Sequence, residues 1–242
     1  MVFEKFKEYF HESWHPKIQP FIESKECDQI YTFLKNESRR GKKIAPSSLL
    51  TYRAFLETPL TELKAVLLSY CPYHTFLNGA PVADGLAFSC GVTNKQQPSL
   101  TKFIEGIEND VYNGLNLNYY KDMADLTYLA KEGILLWNSA LTVEKDKAGS
   151  HQELWEPFTK YVLENCLAYT GVPIVFIGKD AQKFEKSVSP LTHGHIFKIE
   201  HPSFAARNQQ AWDTKGTFLK VTRIVKENTG KEIDWLNEKP PF

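Results

Sequence analysis

The chain has 242 residues, 42% of them hydrophobic and 24% charged, a balance suited to a globular protein with a sizeable core. Its 29 basic residues equal its 29 acidic ones. This excludes a protein that coats nucleic acid through bulk charge, but not one that grips a few phosphates through backbone amides, Ser and His. Cys27, Cys71, Cys90 and Cys166 lie far apart with no CxxC spacing, which argues against zinc and for reduced thiols in the cytoplasm. No stretch reads as a signal peptide or a bilayer span, so no membrane association is expected.

In chain order, residues 22–36 place apolar groups at helical spacing and predict an amphipathic helix. A basic stretch (Arg39, Arg40, Lys42, Lys43) and the turn-rich Ala45-Pro46-Ser47-Ser48 follow. Apolar runs then stand at 65–69, 134–137, 174–177 and 195–199, with helical stretches near 98–110, 122–131, 152–168 and 180–187. Pro98-Ser99 and Asp180 are helix-start signals. Short, continuously apolar runs alternating with helices predict parallel strands buried on both faces. The expected fold is a three-layer α/β/α domain spanning residues 1–242, around a central four-stranded parallel sheet.

Ligand sites in such sheets lie beyond the carboxyl ends of the strands. The segments there are Tyr70-Cys71-Pro72-Tyr73-His74, Asn138-Ser139-Ala140-Leu141-Thr142, Gly178-Lys179-Asp180-Ala181 and His201-Pro202-Ser203. They are rich in His, Tyr, Asn and Ser. His193-Gly194-His195 has no third ligand motif beside it and is not read as a metal site.

Taken in order, these segments resemble the family 1 uracil-DNA glycosylases. The family's GQDPYH loop stands here as Ser69-Tyr70-Cys71-Pro72-Tyr73-His74, and its GLAFSV as Gly85-Leu86-Ala87-Phe88-Ser89-Cys90. Its PPSL is Gln97-Pro98-Ser99-Leu100, and its LLLNxxLTV runs from Leu135 through Asn138 to Val143. Ser150-His151, Trp155-Glu156 and Phe158-Thr159 match its SHxxxGWExFT, and His201-Pro202-Ser203-Phe204-Ala205-Ala206 its HPSPLS loop. Ile233 and Trp235 match its terminal Ile-x-Trp.

The resemblance implies a DNA partner, a flipped pyrimidine and hydrolysis of its N-glycosidic bond with no cofactor or metal; a monomer is expected because no amphipathic surface is left obviously without a role. Phe88 is then the stacking ring, Asn138 the reader of the pyrimidine edge, and His201 the donor to a base oxygen as negative charge builds on the leaving group. Tyr70, Cys71 and Tyr73 complete the base pocket, with Tyr73 as the wall beside C5. His74, Ser99, Ser203, Pro46 and Ser47 fall on phosphate-contacting positions, which orient the strand without reading sequence.

Three departures from the pattern bear on activity. Cys71 stands where the family has Asp, and a thiol with an ordinary pKa of ~8.5 is a poor base; Tyr70 replaces Gln. The loop 75–84 is lengthened, which offers a way to swing Tyr73 aside for a bulky 5-substituent, and it brings Asn78 and Asp84 as substitute water-positioning groups. At the helix-wedge position Ala205 replaces Leu, making Phe204 the first candidate wedge and Arg207 the second.

Three readings follow. The favoured one is excision of a modified, 5-substituted pyrimidine, as in defence against phages with altered genomes. The others are an ordinary uracil-DNA glycosylase, and a catalytically inactive DNA-binding homologue.

Overall fold

The computed structural model describes residues 2–114, 123–168, 170–188 and 195–237. Helices α1 (Val2–Phe6), α2 (His15–Ile22) and α3 (Lys25–Arg39) open the chain. They lead to strand β1 (Ile44–Ala45), helix α4 (Arg53–Glu57) and strand β2 (Ala65–Ser69). A hairpin of β3 (Phe76–Leu77) and β4 (Ala80–Pro81) comes next, then α5 (Pro98–Val111), α6 (Thr127–Lys131), β5 (Ile134–Asn138) and β6 (Val143–Glu144). The chain closes with α7 (Gln152–Tyr161), β7 (Ile174–Ile177), α8 (Lys179–Gln182), β8 (Ile196–Ile199), α9 (Pro202–Arg207) and α10 (Thr217–Thr229).

The central sheet has four strands in the order β5-β2-β7-β8, flanked by helices. Every pairing in it is parallel, with Ser69 opposite Asn138, Leu68 opposite Phe176 and Ile177 opposite Ile199. Strands β2, β5 and β7 are buried at every residue. That explains why they read as unbroken apolar runs and not as alternating ones. The edge strand β8 is half-buried and carries Lys198, as an edge exposed to water permits.

Element boundaries moved where a local cap outweighed periodicity. The helix expected over 22–36 starts at Lys25, because the Ser24 hydroxyl accepts the Cys27 N–H at 3.2 Å. Of the stretch near 122–131, residue 122 lies outside the described residues, and from 123 onward the helix starts at Thr127, whose N–H bonds the Asp125 carboxylate at 2.9 Å. Helix α7 ends at Tyr161 and continues as a π turn over Val162–Cys166. Helix α8 begins one residue before Asp180 and passes into a 3-10 turn at Lys183–Ser187.

The core is one large apolar cluster, with a small separate one of Ala45, Ala83 and Val143. On β5 the Trp137 ring meets Phe55 at 5.5 Å and Phe158 at 6.3 Å, both edge-on. Another aromatic group links Phe103 to Phe218 at 5.7 Å and Phe218 to Trp235 at 5.1 Å. Truncating buried rings of this size generally costs about 3–5 kcal/mol. Among the described residues no helix is long and apolar enough to cross a membrane.

Candidate active site

Because the sheet is parallel, its strand ends deliver their loops to one edge. Asn138 is the last residue of β5; Tyr70 and Cys71 follow β2; Gly178 to Asp180 follow β7; His201 follows β8 by two residues. These residues line a cavity of about 390 Å³, together with Tyr73, His74, Phe88, Ser99, Ser203 and Arg207.

His201 caps α9. Its Nδ1 accepts the Ser203 N–H at 3.2 Å and lies 2.8 Å from the Ser203 hydroxyl. A ring nitrogen that accepts a backbone N–H carries no proton, so the neutral ring bears its hydrogen on Nε2. Burial, and then the positive charge of Arg207, lower the His201 pKa to about 4, against an opposing pull from Asp180. At neutral pH His201 is therefore an uncharged N–H donor. Gly178 makes its position accessible: at φ +91 a Cβ there would lie 3.0 Å from the His201 Cβ.

Phe88 sits beside it, with ring centroids 5.4 Å apart. One face of Phe88 stacks on Phe103 at 4.8 Å and 17°. Its backbone is held at φ +66, a costly conformation for an aromatic residue that persists only where surrounding contacts impose it. Asp84 supplies those contacts. It is fully buried, pairs with Arg53 at 3.0 Å, and accepts from the Leu86 N–H (3.2 Å), the Ser89 hydroxyl (2.6 Å) and the Gly91 N–H (2.9 Å). The loop presenting Phe88 is thus wound around one carboxylate.

Asn138 is 5% exposed, and among the described residues no group hydrogen-bonds its carboxamide. A nearly buried amide lining a cavity keeps a donor and an acceptor for whatever enters. Tyr73 is different. Its hydroxyl donates to the Phe88 carbonyl at 3.1 Å and lies 2.9 Å from the Ser99 hydroxyl. The ring is fastened, and Ser99 is turned into the wall that fastens it.

The Cys71 thiol is pushed up to about 11 by burial, which outweighs the Gly149 N–H bonded to its sulfur; Asp180 raises it further. It is neither a base nor a nucleophile near pH 7. Burial also raises the Tyr70 pKa, with Cys71 and Asp180 adding to it. The Tyr70 hydroxyl packs so closely on Gly149 (φ +71) that a Cβ there would fall 1.7 Å from it.

Residues 56–226 match the family model described as the uracil DNA glycosylase superfamily. Uracil-DNA glycosylases of Streptococcus pneumoniae and Streptococcus uberis are each 32% identical over 229 residues, covering 93% of this chain and 99% of theirs.

The chain belongs to the uracil DNA glycosylase superfamily.

In fold it is similar to the mimivirus uracil-DNA glycosylase, with TM-score 0.81 and 20% identity over 95% of this chain and 88% of that one. It is also similar to the UNG of Nitratifractor salsuginis, with TM-score 0.64 and 18% identity over 93% and 96%. The superfamily's chemistry is hydrolysis of the N-glycosidic bond.

Several expected site residues of this superfamily member lie outside the cavity lining. Asp84 is one; its carboxylate is spent on the Phe88 loop and leaves nothing for a water. Asn78 is exposed at the tip of the β3–β4 hairpin, at φ 50 beside Gly79 at φ 84, the geometry of an Asn-Gly turn. The hairpin does not swing Tyr73 aside. Phe76 and Tyr73 both pack on a small cluster of Ala45, Ala83 and Val143, which ties the hairpin down beside the wall. Pro46 is buried and Ser47 exposed, and neither is among the residues lining the cavity. Ala205 is buried, whereas Phe204 next to it is 46% exposed.

Of the His193-Gly194-His195 stretch, only His195 lies within the described residues. Lys179, Asp180, Leu86 and Ala148 line the cavity but were not singled out as site residues. The first two stood in a strand-end segment, and that position was the available signal.

Proposed function

We propose that this protein excises uracil from DNA by flipping the nucleotide and hydrolysing its N-glycosidic bond. The observation that carries the reading is the convergence of Phe88, Asn138 and His201 on one cavity whose Tyr73 wall is doubly hydrogen-bonded. Phe88 stacks on the extruded base, Asn138 reads its edge, and the His201 Nε2–H donates to a base oxygen as the leaving pyrimidine gains negative charge. Tyr73 rejects a 5-substituent because it has two bonds to lose before it moves.

His74, Ser203, Lys179 and Arg207 hold phosphates at the cavity mouth. Phe204 fills the space that the base vacates, since Ala205 faces inward.

The test offers duplexes carrying uracil, thymine, hydroxymethylcytosine and glucosylated hydroxymethylcytosine, followed by alkaline cleavage. Strand scission at uracil alone is expected. Scission only at a hydroxymethylated or glucosylated base would replace this reading with excision of a modified pyrimidine. Binding without scission on any probe would replace it with an inert DNA-binding homologue, the reading that the neutral Cys71 thiol favours.

A further inference from the structure

N-glycosidic hydrolysis makes two electrostatic demands. Positive charge develops on the sugar as the base departs, and the attacking water must give up a proton. A carboxylate near C1′ answers both. Cys71 is a neutral thiol, and Asp84 is enclosed in its own loop. Among the described residues lining the cavity there is one acid, Asp180.

Its place in the fold is central. Strand β7 lies between β2, which leads to Cys71, and β8, which leads to His201. Asp180, at the second position of α8 just beyond β7, therefore lines the cavity from the strand that stands between those leading to the thiol and to the imidazole. Its side chain is half-buried and is steadied by Lys183 at 2.5 Å, an exposed ion pair that solvent screens. Helix α8 is anchored in turn, because the Gln182 amide donates to the Ile199 carbonyl at 3.0 Å. The charge of Asp180 reaches the other cavity groups, adding to the rise that burial imposes on Tyr70 and Cys71 and opposing in part the fall at His201.

We propose that Asp180 is the carboxylate that balances the cationic sugar and takes the proton of the attacking water. The assignment rests on the glycosylase reading above. The C1′–N bond breaks and its electron pair leaves on the base, held by the His201 N–H. The water oxygen bonds to C1′, its proton passes to Asp180, and Asp180 returns that proton to the departed base or to solvent. No oxidant, reductant or co-reactant is required.

The experiment measures binding to two duplexes without a base, one with a neutral tetrahydrofuran and one with a cationic azasugar at the abasic position. Uracil release is measured in parallel. The wild type should bind the cationic duplex at least about tenfold more tightly. Asp180→Asn should erase that preference while keeping neutral-duplex affinity within about threefold, and should slow uracil release by about 10²-fold or more. Asp180→Glu should restore part of the preference, which a merely structural role would not do, and thermal melting checks that both variants fold. A charge preference unchanged in Asp180→Asn, or absent from the wild type, overturns the proposal. Loss of preference in Asp180→Asn together with a wild type that releases no uracil would retain Asp180 and overturn the uracil reading.

Discussion

Ser203 donates its backbone N–H to Nδ1 of His201 across 3.2 Å, two residues along the same chain segment. This short contact fixes the imidazole tautomer and points a hydrogen-bearing Nε2 away from the helix cap. Together with burial it makes His201 a neutral N–H donor at pH 7, which sets its pH dependence.

The ordinary His value is 6.5, and His201 is held at about 4 in the folded protein. Between those values the unfolded chain binds a proton that the folded chain does not. The stability contributed by this burial is complete above pH 6.5 and is lost as pH falls toward 4. Nitrogen NMR of the ring should show the Nε2–H tautomer at pH 7 and a midpoint near 4. His201→Gln should lower the rate of base release by about 10²–10³-fold. A ring that titrates near the ordinary value would refute the tautomer assignment's functional weight.

Tyr73→Phe removes one hydroxyl and leaves the Phe88 carbonyl and the Ser99 hydroxyl without their partner. A loss of about 1–3 kcal/mol is expected in denaturant unfolding. Tyr73→Ala removes the wall itself, and thymine release should become detectable in the duplex assay.

Asp84→Ala leaves the Arg53 guanidinium, itself largely buried, without its buried partner and unties the Phe88 loop. Breaking such a pair costs about 3–5 kcal/mol, readable as a fall in the urea midpoint. If Asp84 instead positioned water, activity would fall with stability unchanged.

Phe204→Ala removes an exposed ring and should leave the melting temperature almost unchanged. Uracil release from duplex DNA should fall about tenfold or more, because an unstacked step costs a few kcal/mol. Release from single strands, which need no wedge, should be retained. Equal losses on both substrates would assign Phe204 a different task.

Strands β2, β5 and β7 were legible because burial on both faces writes itself locally, as unbroken apolar runs at 65–69, 134–137 and 174–177; the edge strand β8 is only half-buried and was legible from the apolar residues of its run alone. The helix start at Pro98 was legible for a similar reason, since Pro at the first helical position acts within one turn. The strand-end rule then located Asn138 and His201 from their place after β5 and β8.

Asp84 and Asp180 show what local pattern does not carry. By sequence both are loop or helix-start acids with similar surroundings. Arg53 reaches Asp84 across 31 residues and makes it a structural pin, whereas the parallel order of β2, β7 and β8 brings Asp180 to the cavity. Likewise, the chain names Phe204 and Ala205 as neighbours, but only the packing of α9 turns one outward and the other inward. Periodicity and capping act over a few residues, so the amino-acid sequence alone determined the strands, most helices and the edge of the sheet where chemistry gathers. Which acid is enclosed and which faces the cavity depends on partners distant in the chain, and the tertiary structure alone decided it.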